Sequence, residues 1–97
     1  MPDDNTSAFL TLIGNVPAMK IIDFLIRNSP GNFNKTEIAE HLMMGRSTLH
    51  KSWKVLDAFD ITKTQTSKGK SRFYVLNKEN PIVTLLLKLY QVMETAQ

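Results

Sequence analysis

Six side chains between residues 46 and 54, namely Arg46, Ser47, Thr48, His50, Lys51 and Lys54, crowd cations and hydrogen-bonding groups into a short stretch. Arginine and lysine neutralise phosphate, while arginine, serine, threonine and histidine can also exchange hydrogen bonds with base edges. Interleaved with them run Leu49, Trp53, Leu56 and Phe59 at intervals of four, three and three, the period of a helix with one buried face. A helix over Arg46 to Phe59 that packs this stripe into a core must turn the polar set outward. Trp53 could stack on a base, but its place in the stripe predicts packing. Arg46, Ser47, Thr48 and His50 then stand at the helix start, where a helix in a major groove brings side chains to base edges. Lys51 and Lys54, further along, suit phosphates.

A second cationic group follows in the run Ser67-Lys68-Gly69-Lys70-Ser71 and in Arg72. Ile61 to Thr66 is rich in β-branched residues, Arg72 to Leu76 is strand-like throughout, and Gly69 permits a turn between them. Both phases of the second strand are apolar, so alternation leaves open whether Phe73 or Tyr74 faces the core. At the hairpin tip, Lys68, Lys70 and Arg72 can lie on phosphates or probe a minor groove, where arginine responds to groove width. From Arg46 to Lys78 there are eight basic residues against two acids, Asp57 and Asp60, a local balance of +6, while the remainder carries four basic and seven acidic residues. The positive field therefore coincides with these candidate elements, and its commonest use is phosphate neutralisation.

Other elements must position them. Ser7 to Gly14 reads as a short apolar helix, with Phe9, Leu10, Leu12 and Ile13, ended or bent by Gly14. Asn15 can cap a second helix with Pro17 in its first turn and an apolar face from Met19, Ile21, Ile22, Leu25 and Ile26. Asn28 to Asn32 closes it, and Phe33 can pair as an edge strand. Asn34 and Glu37 then form a capping box for a helix with Ile38, Ala39 and Leu42 on one face, and Met43-Met44-Gly45 makes the turn. Helix, turn, helix and basic hairpin, in that order, are the parts of a winged helix-turn-helix. The expected class is mainly α with a small β-hairpin (α+β).

Asn80-Pro81 opens the last helix as cap and first-turn proline, and Ile82 to Met93 is apolar nearly all round. One small domain covers only one side of such a helix, and an exposed apolar remainder marks an interface. The expectation is a two-fold homodimer through the terminal helices, with Phe9, Leu10, Ile82, Leu85, Leu86, Leu89, Tyr90 and Met93 at the interface.

Ninety-seven residues suffice for one domain, read as a flexible tail over 1–6 and a DNA-binding domain over 7–97 whose dimerisation helix spans 80–95. No cysteine is present, so neither a disulfide framework nor a thiolate metal site is possible. The start carries two acids and no basic region, and no apolar run approaches the roughly 18 residues expected of a membrane span, so a cytoplasmic protein with no membrane partner is expected. Neither cofactor nor metal is expected; His41 and His50 stand nine residues apart on different helices. Without a glycine-rich phosphate loop, a nucleophile–histidine constellation or paired carboxylates, the chain is not expected to be an enzyme.

The run Thr36-Glu37-Ile38-Ala39, the turn, and Arg46-Ser47-Thr48-Leu49-His50-Lys51 resemble the pattern of ArsR/MarR-like winged-helix regulators. Tyr74-Val75-Leu76-Asn77 followed by Asn80-Pro81-Ile82-Val83 looks like the wing end and dimer helix of small archaeal members, and the resemblance spans about residues 15–93. Two departures stand out: Met43 replaces the usual turn glycine, and Gly45 stands where a serine or asparagine caps the recognition helix. The metal-sensing cysteines of ArsR members are absent. The resemblance implies double-stranded DNA as partner and a homodimeric transcriptional repressor at a palindromic site. Two alternatives stay open: a plasmid-partition adaptor that binds a centromere-like site and spreads, and a winged helix that docks another protein.

Overall fold

The computed structural model describes residues 7–66 and 72–95. Helices α1 (Ala8–Ile13), α2 (Pro17–Arg27), α3 (Lys35–Leu42) and α4 (Arg46–Ala58) precede strands β1 (Thr62–Thr66) and β2 (Arg72–Leu76), and α5 (Pro81–Thr95) closes the chain. The hairpin tip with Lys68 and Lys70, and the tail over 1–6, lie outside the described residues.

At the centre is α2, whose Ile21, Ile22, Phe24 and Leu25 are all buried. Around it gather Ile38 of α3, Leu49, Trp53 and Leu56 of α4, Ile61 just before β1, Leu76 of β2 and Val83 of α5 in one apolar cluster. Pro17 occupies the first turn of α2 as expected. The cap differs: Val16, not Asn15, is the N-cap and makes no side-chain hydrogen bond.

The short α1 is held from both ends. Its N-cap Ser7 accepts from the Leu10 N–H at 3.1 Å and donates at 2.7 Å to the buried carboxylate of Asp23 on α2, while Gly14 leaves the helix at φ 118°, a conformation that favours glycine. Phe9 and Leu10 are consequently buried inside the protomer, Phe9 against Tyr90 of α5 with ring centroids 5.6 Å apart. This corrects their expected place on a face shared with a second copy. The outward apolar residues of this region are Leu12, Ile13 and Val16.

The Asn34–Glu37 capping box forms as expected, with Glu37 N–H donating to Asn34 Oδ1 at 2.8 Å and Asn34 N–H to Glu37 Oε1 at 2.9 Å. At the other end of α3, Met43 takes a left-handed φ of 52°, and its N–H and that of Met44 close onto the carbonyls of Glu40 and Ala39. The position where the family resemblance expects glycine is thus the one whose backbone favours glycine.

A second left-handed residue, Asp60 at φ 56°, ends α4. Asp60 N–H donates to Asp57 O at 3.1 Å and Ile61 N–H to Leu56 O at 3.0 Å, the paired bonds of a Schellman turn. The reversal sends Ile61 into the core after Leu56 and leaves Phe59 57% exposed, so Phe59 is not part of the buried stripe expected of it. Asn80 then pins α5 to this turn: its Nδ2 donates to the carbonyls of Phe59 (2.7 Å) and Asp60 (2.8 Å), and its Oδ1 caps the Ile82 N–H at 2.9 Å.

Strands β1 and β2 pair antiparallel from Thr62 opposite Leu76 to Thr66 opposite Arg72. Phe33 bridges the other side of β2 through two backbone bonds with Tyr74, of 3.2 and 2.8 Å. Tyr74 packs on the core beside buried Leu76, which fixes the phase that the sequence left open.

Candidate nucleic-acid interface

The amphipathic split of α4 is realised. Leu49, Trp53 and Leu56 are buried, with Trp53 only 2% exposed, and Ser52 joins them by donating its Oγ to the Thr48 carbonyl at 2.7 Å. Arg46, Ser47, Thr48, His50, Lys51 and Lys54 are all exposed. The helix therefore brings these six onto the protein's surface, and Arg72 is exposed at the start of β2. The tip lysines Lys68 and Lys70 fall among the undescribed residues.

Electrostatics favours an external anion. Among the described residues the one ion pair joins Arg27 to Asp23 at 3.5 Å, so no carboxylate holds Arg46, Lys51, Lys54 or Arg72. An exposed cation without a partner keeps its full charge for a phosphate. Gly45 starts α4 without a side-chain cap, which leaves first-turn N–H groups beside Arg46 open to a ligand.

Trp53 meets Tyr74 edge to face at 4.8 Å between centroids, so the helix carrying the cations is locked to the hairpin strand. Above both rings lies the ammonium of Lys35, 4.9 Å from the Trp53 centroid and 5.3 Å from that of Tyr74. Sequence reading missed Lys35, because its aromatic partners lie far along the chain on other elements. A groove of about 710 Å³ opens between α3 and the start of α4, with Ala39, Met43, Met44 and Leu49 as apolar lining and Lys35 and Arg46 as cations.

His41 does not join His50. Its ring lies tilted against Phe24 instead, at 5.2 Å between centroids. Among the described residues no group of three or more metal-ligating side chains gathers, and no helix is long and apolar enough to cross a membrane.

On α5 the expected interface residues divide. Leu86 packs on the protomer's own core and Leu89, Tyr90 and Met93 are half-buried, whereas Ile82 and Leu85 are exposed. Val92, absent from the expected set, is 58% exposed. Ile82, Leu85, Leu89 and Val92 follow one another at three, four and three residues, the spacing of a two-helix seam.

No family model matches the chain, and no curated protein matches it in sequence. Solved structures do match. Rv1404 from Mycobacterium tuberculosis superposes with a TM-score of 0.62 at 15% identity, covering 92% of this chain and 62% of that one. SSV1 F-93 superposes with a TM-score of 0.51 at 12% identity, covering 88% of this chain and 97% of that one. The chain thus spans less than two thirds of Rv1404. These likenesses are of fold alone: the described residues of this chain form five helices and a two-stranded antiparallel hairpin, the architecture of a winged helix-turn-helix. The narrower ArsR/MarR resemblance rests on the sequence motifs alone.

Proposed function

We propose that this chain binds double-stranded DNA sequence-specifically as a homodimer and acts as a transcriptional repressor at a palindromic site. The observation that carries it is the surface of α4: six exposed cationic or hydrogen-bonding groups backed by a buried apolar stripe, without acidic partners among the described residues. Set in a major groove, Arg46, Ser47 and Thr48 of the first turn and His50 at the start of the second meet base edges. Lys51, Lys54 and Arg72 meet phosphates, and Lys68 and Lys70 add to that set from the hairpin tip.

The homodimer is supported by the apolar seam of α5, since Leu85 and Val92 are 68% and 58% exposed within one protomer. Two copies packed through it bury those side chains and give the DNA-facing helices two-fold symmetry. Half-sites then fall about 10 base pairs apart, centre to centre. The role is binding rather than catalysis.

Selection of bound duplexes from a random pool tests the proposal. An inverted repeat with that spacing is the expected product. Recovery of unrelated sequences at equal affinity contradicts sequence-specific binding, and an asymmetric single site contradicts the symmetric dimer.

A further inference from the structure

We infer that the groove between α3 and α4 seats a stretch of the DNA sugar-phosphate backbone, and that Lys35 is its phosphate clamp, leaving the faces of Trp53 and Tyr74 when the phosphate arrives. The inference rests on the duplex-binding proposal and adds to it a site and a residue outside α4 and the hairpin.

Three observations converge on it. In a helix-turn-helix the recognition helix enters the groove while the preceding helix crosses the backbone, which here makes α3 the element beside the strand. The groove that α3 forms with the start of α4 is lined by the apolar Ala39, Met43, Met44 and Leu49, suited to deoxyribose, and by the cations Lys35 and Arg46. Glu40 lines it further along α3, so the anionic group belongs at the Lys35 end.

Lys35 is built to move. Its ammonium makes no ion pair among the described residues and lies over two ring faces, 4.9 and 5.3 Å from their centroids, on a half-buried side chain. A cation–π contact holds such a group without saturating its three donors, and the four-carbon stem lets it swing to a nearby phosphate. Trp53 is the single tryptophan of the chain, so departure of the cation from its face has its own optical signal.

The test is a salt titration of duplex binding with tryptophan emission read in the same samples, on wild type, Lys35→Gln and Lys35→Arg. For Lys35→Gln the slope of log affinity against log salt should become shallower by about 0.9, and affinity at 0.15 M salt should fall on the order of fivefold. Lys35→Arg should restore the slope. Wild-type emission should shift on adding duplex, while Lys35→Gln should show the shifted emission without DNA and no further change with it. A purely structural lysine would instead lower the melting temperature of Lys35→Gln and leave the slope untouched. An unchanged slope in Lys35→Gln alongside normal wild-type binding overturns this inference alone, as does a wild-type emission indifferent to DNA. Absence of any salt-dependent binding by wild type overturns the duplex-binding proposal and this inference with it.

Discussion

Trp53 and Tyr74 stand edge to face at 4.8 Å, one from the helix that carries the exposed cations and the other from the second strand of the hairpin. Their contact makes helix and hairpin one unit, so the spacing between Arg46 or Lys51 and Arg72 is set by packing and not by a linker. Trp53→Ala should cost about 3–5 kcal/mol, a large share of the roughly 5–15 kcal/mol that stabilises a domain of this kind. The check is a urea melt, in which the midpoint should fall steeply; a loss below about 1 kcal/mol would mean that the indole is not a core anchor.

The turn between α3 and α4 holds two residues that local backbone preference would not choose. Met43 is left-handed and 93% exposed, and a Cβ built on Gly45 meets no atom within 4 Å. Met43→Gly should therefore stabilise the fold by up to about 1 kcal/mol, and Gly45→Ser by a few tenths of a kcal/mol through a new cap. Thermal melts should show both gains. Destabilisation by either would contradict the turn geometry described.

Much of this frame was legible in the sequence, and the misses have physical causes. Asn34 with Glu37, Pro17, and Asn80 with Pro81 announce helix starts through local hydrogen bonding and fixed φ, which need no tertiary partner. The outward set on α4 followed from the spacing of Leu49, Trp53 and Leu56. Phe59 continued that spacing on paper, but the left-handed Asp60 ended the helix first, and periodicity carries no information about where a helix stops. Phe9 and Leu10 were apolar on a short helix; only the position of Tyr90, some 80 residues away in sequence, decides that they face inward. Lys35 gave no signal at all, because a cation over two rings is a tertiary fact.

The α5 seam gives a surface test. Leu85→Glu and Val92→Glu alter side chains that are mainly solvent-exposed in one protomer, so each should change protomer stability by no more than about 0.5 kcal/mol. Both should shift a sedimentation profile from dimer to monomer. A profile unmoved by the double substitution would place the interface elsewhere. Leu86, which packs on the protomer's own core, is a poor probe, since charging it would disturb the fold itself.

Burial, then the carboxylates of Asp23 and Glu94, raises the Tyr90 phenol above its ordinary value of 10.0, with Arg27 opposing. A tyrosine raised on folding binds its proton more tightly in the native state than in the unfolded one. Its contribution is full below pH 10 and is lost as pH rises through the elevated native value. Stability measured by denaturant should therefore decline above about pH 10, and Tyr90→Phe should flatten that decline. An identical pH profile in the variant would remove Tyr90 as its source.

The claim on which the rest depends is that the outward side of α4 is a duplex-binding surface. The most direct measurement is the salt dependence of binding to a duplex of fixed sequence by wild type and by the double variant Lys51→Ala/Lys54→Ala, both of whose side chains are exposed. Two lost phosphate contacts should make the slope of log affinity against log salt shallower by about 1.8, with the melting temperature unchanged. Equal slopes and equal affinities for the two proteins would show that this face does not touch DNA.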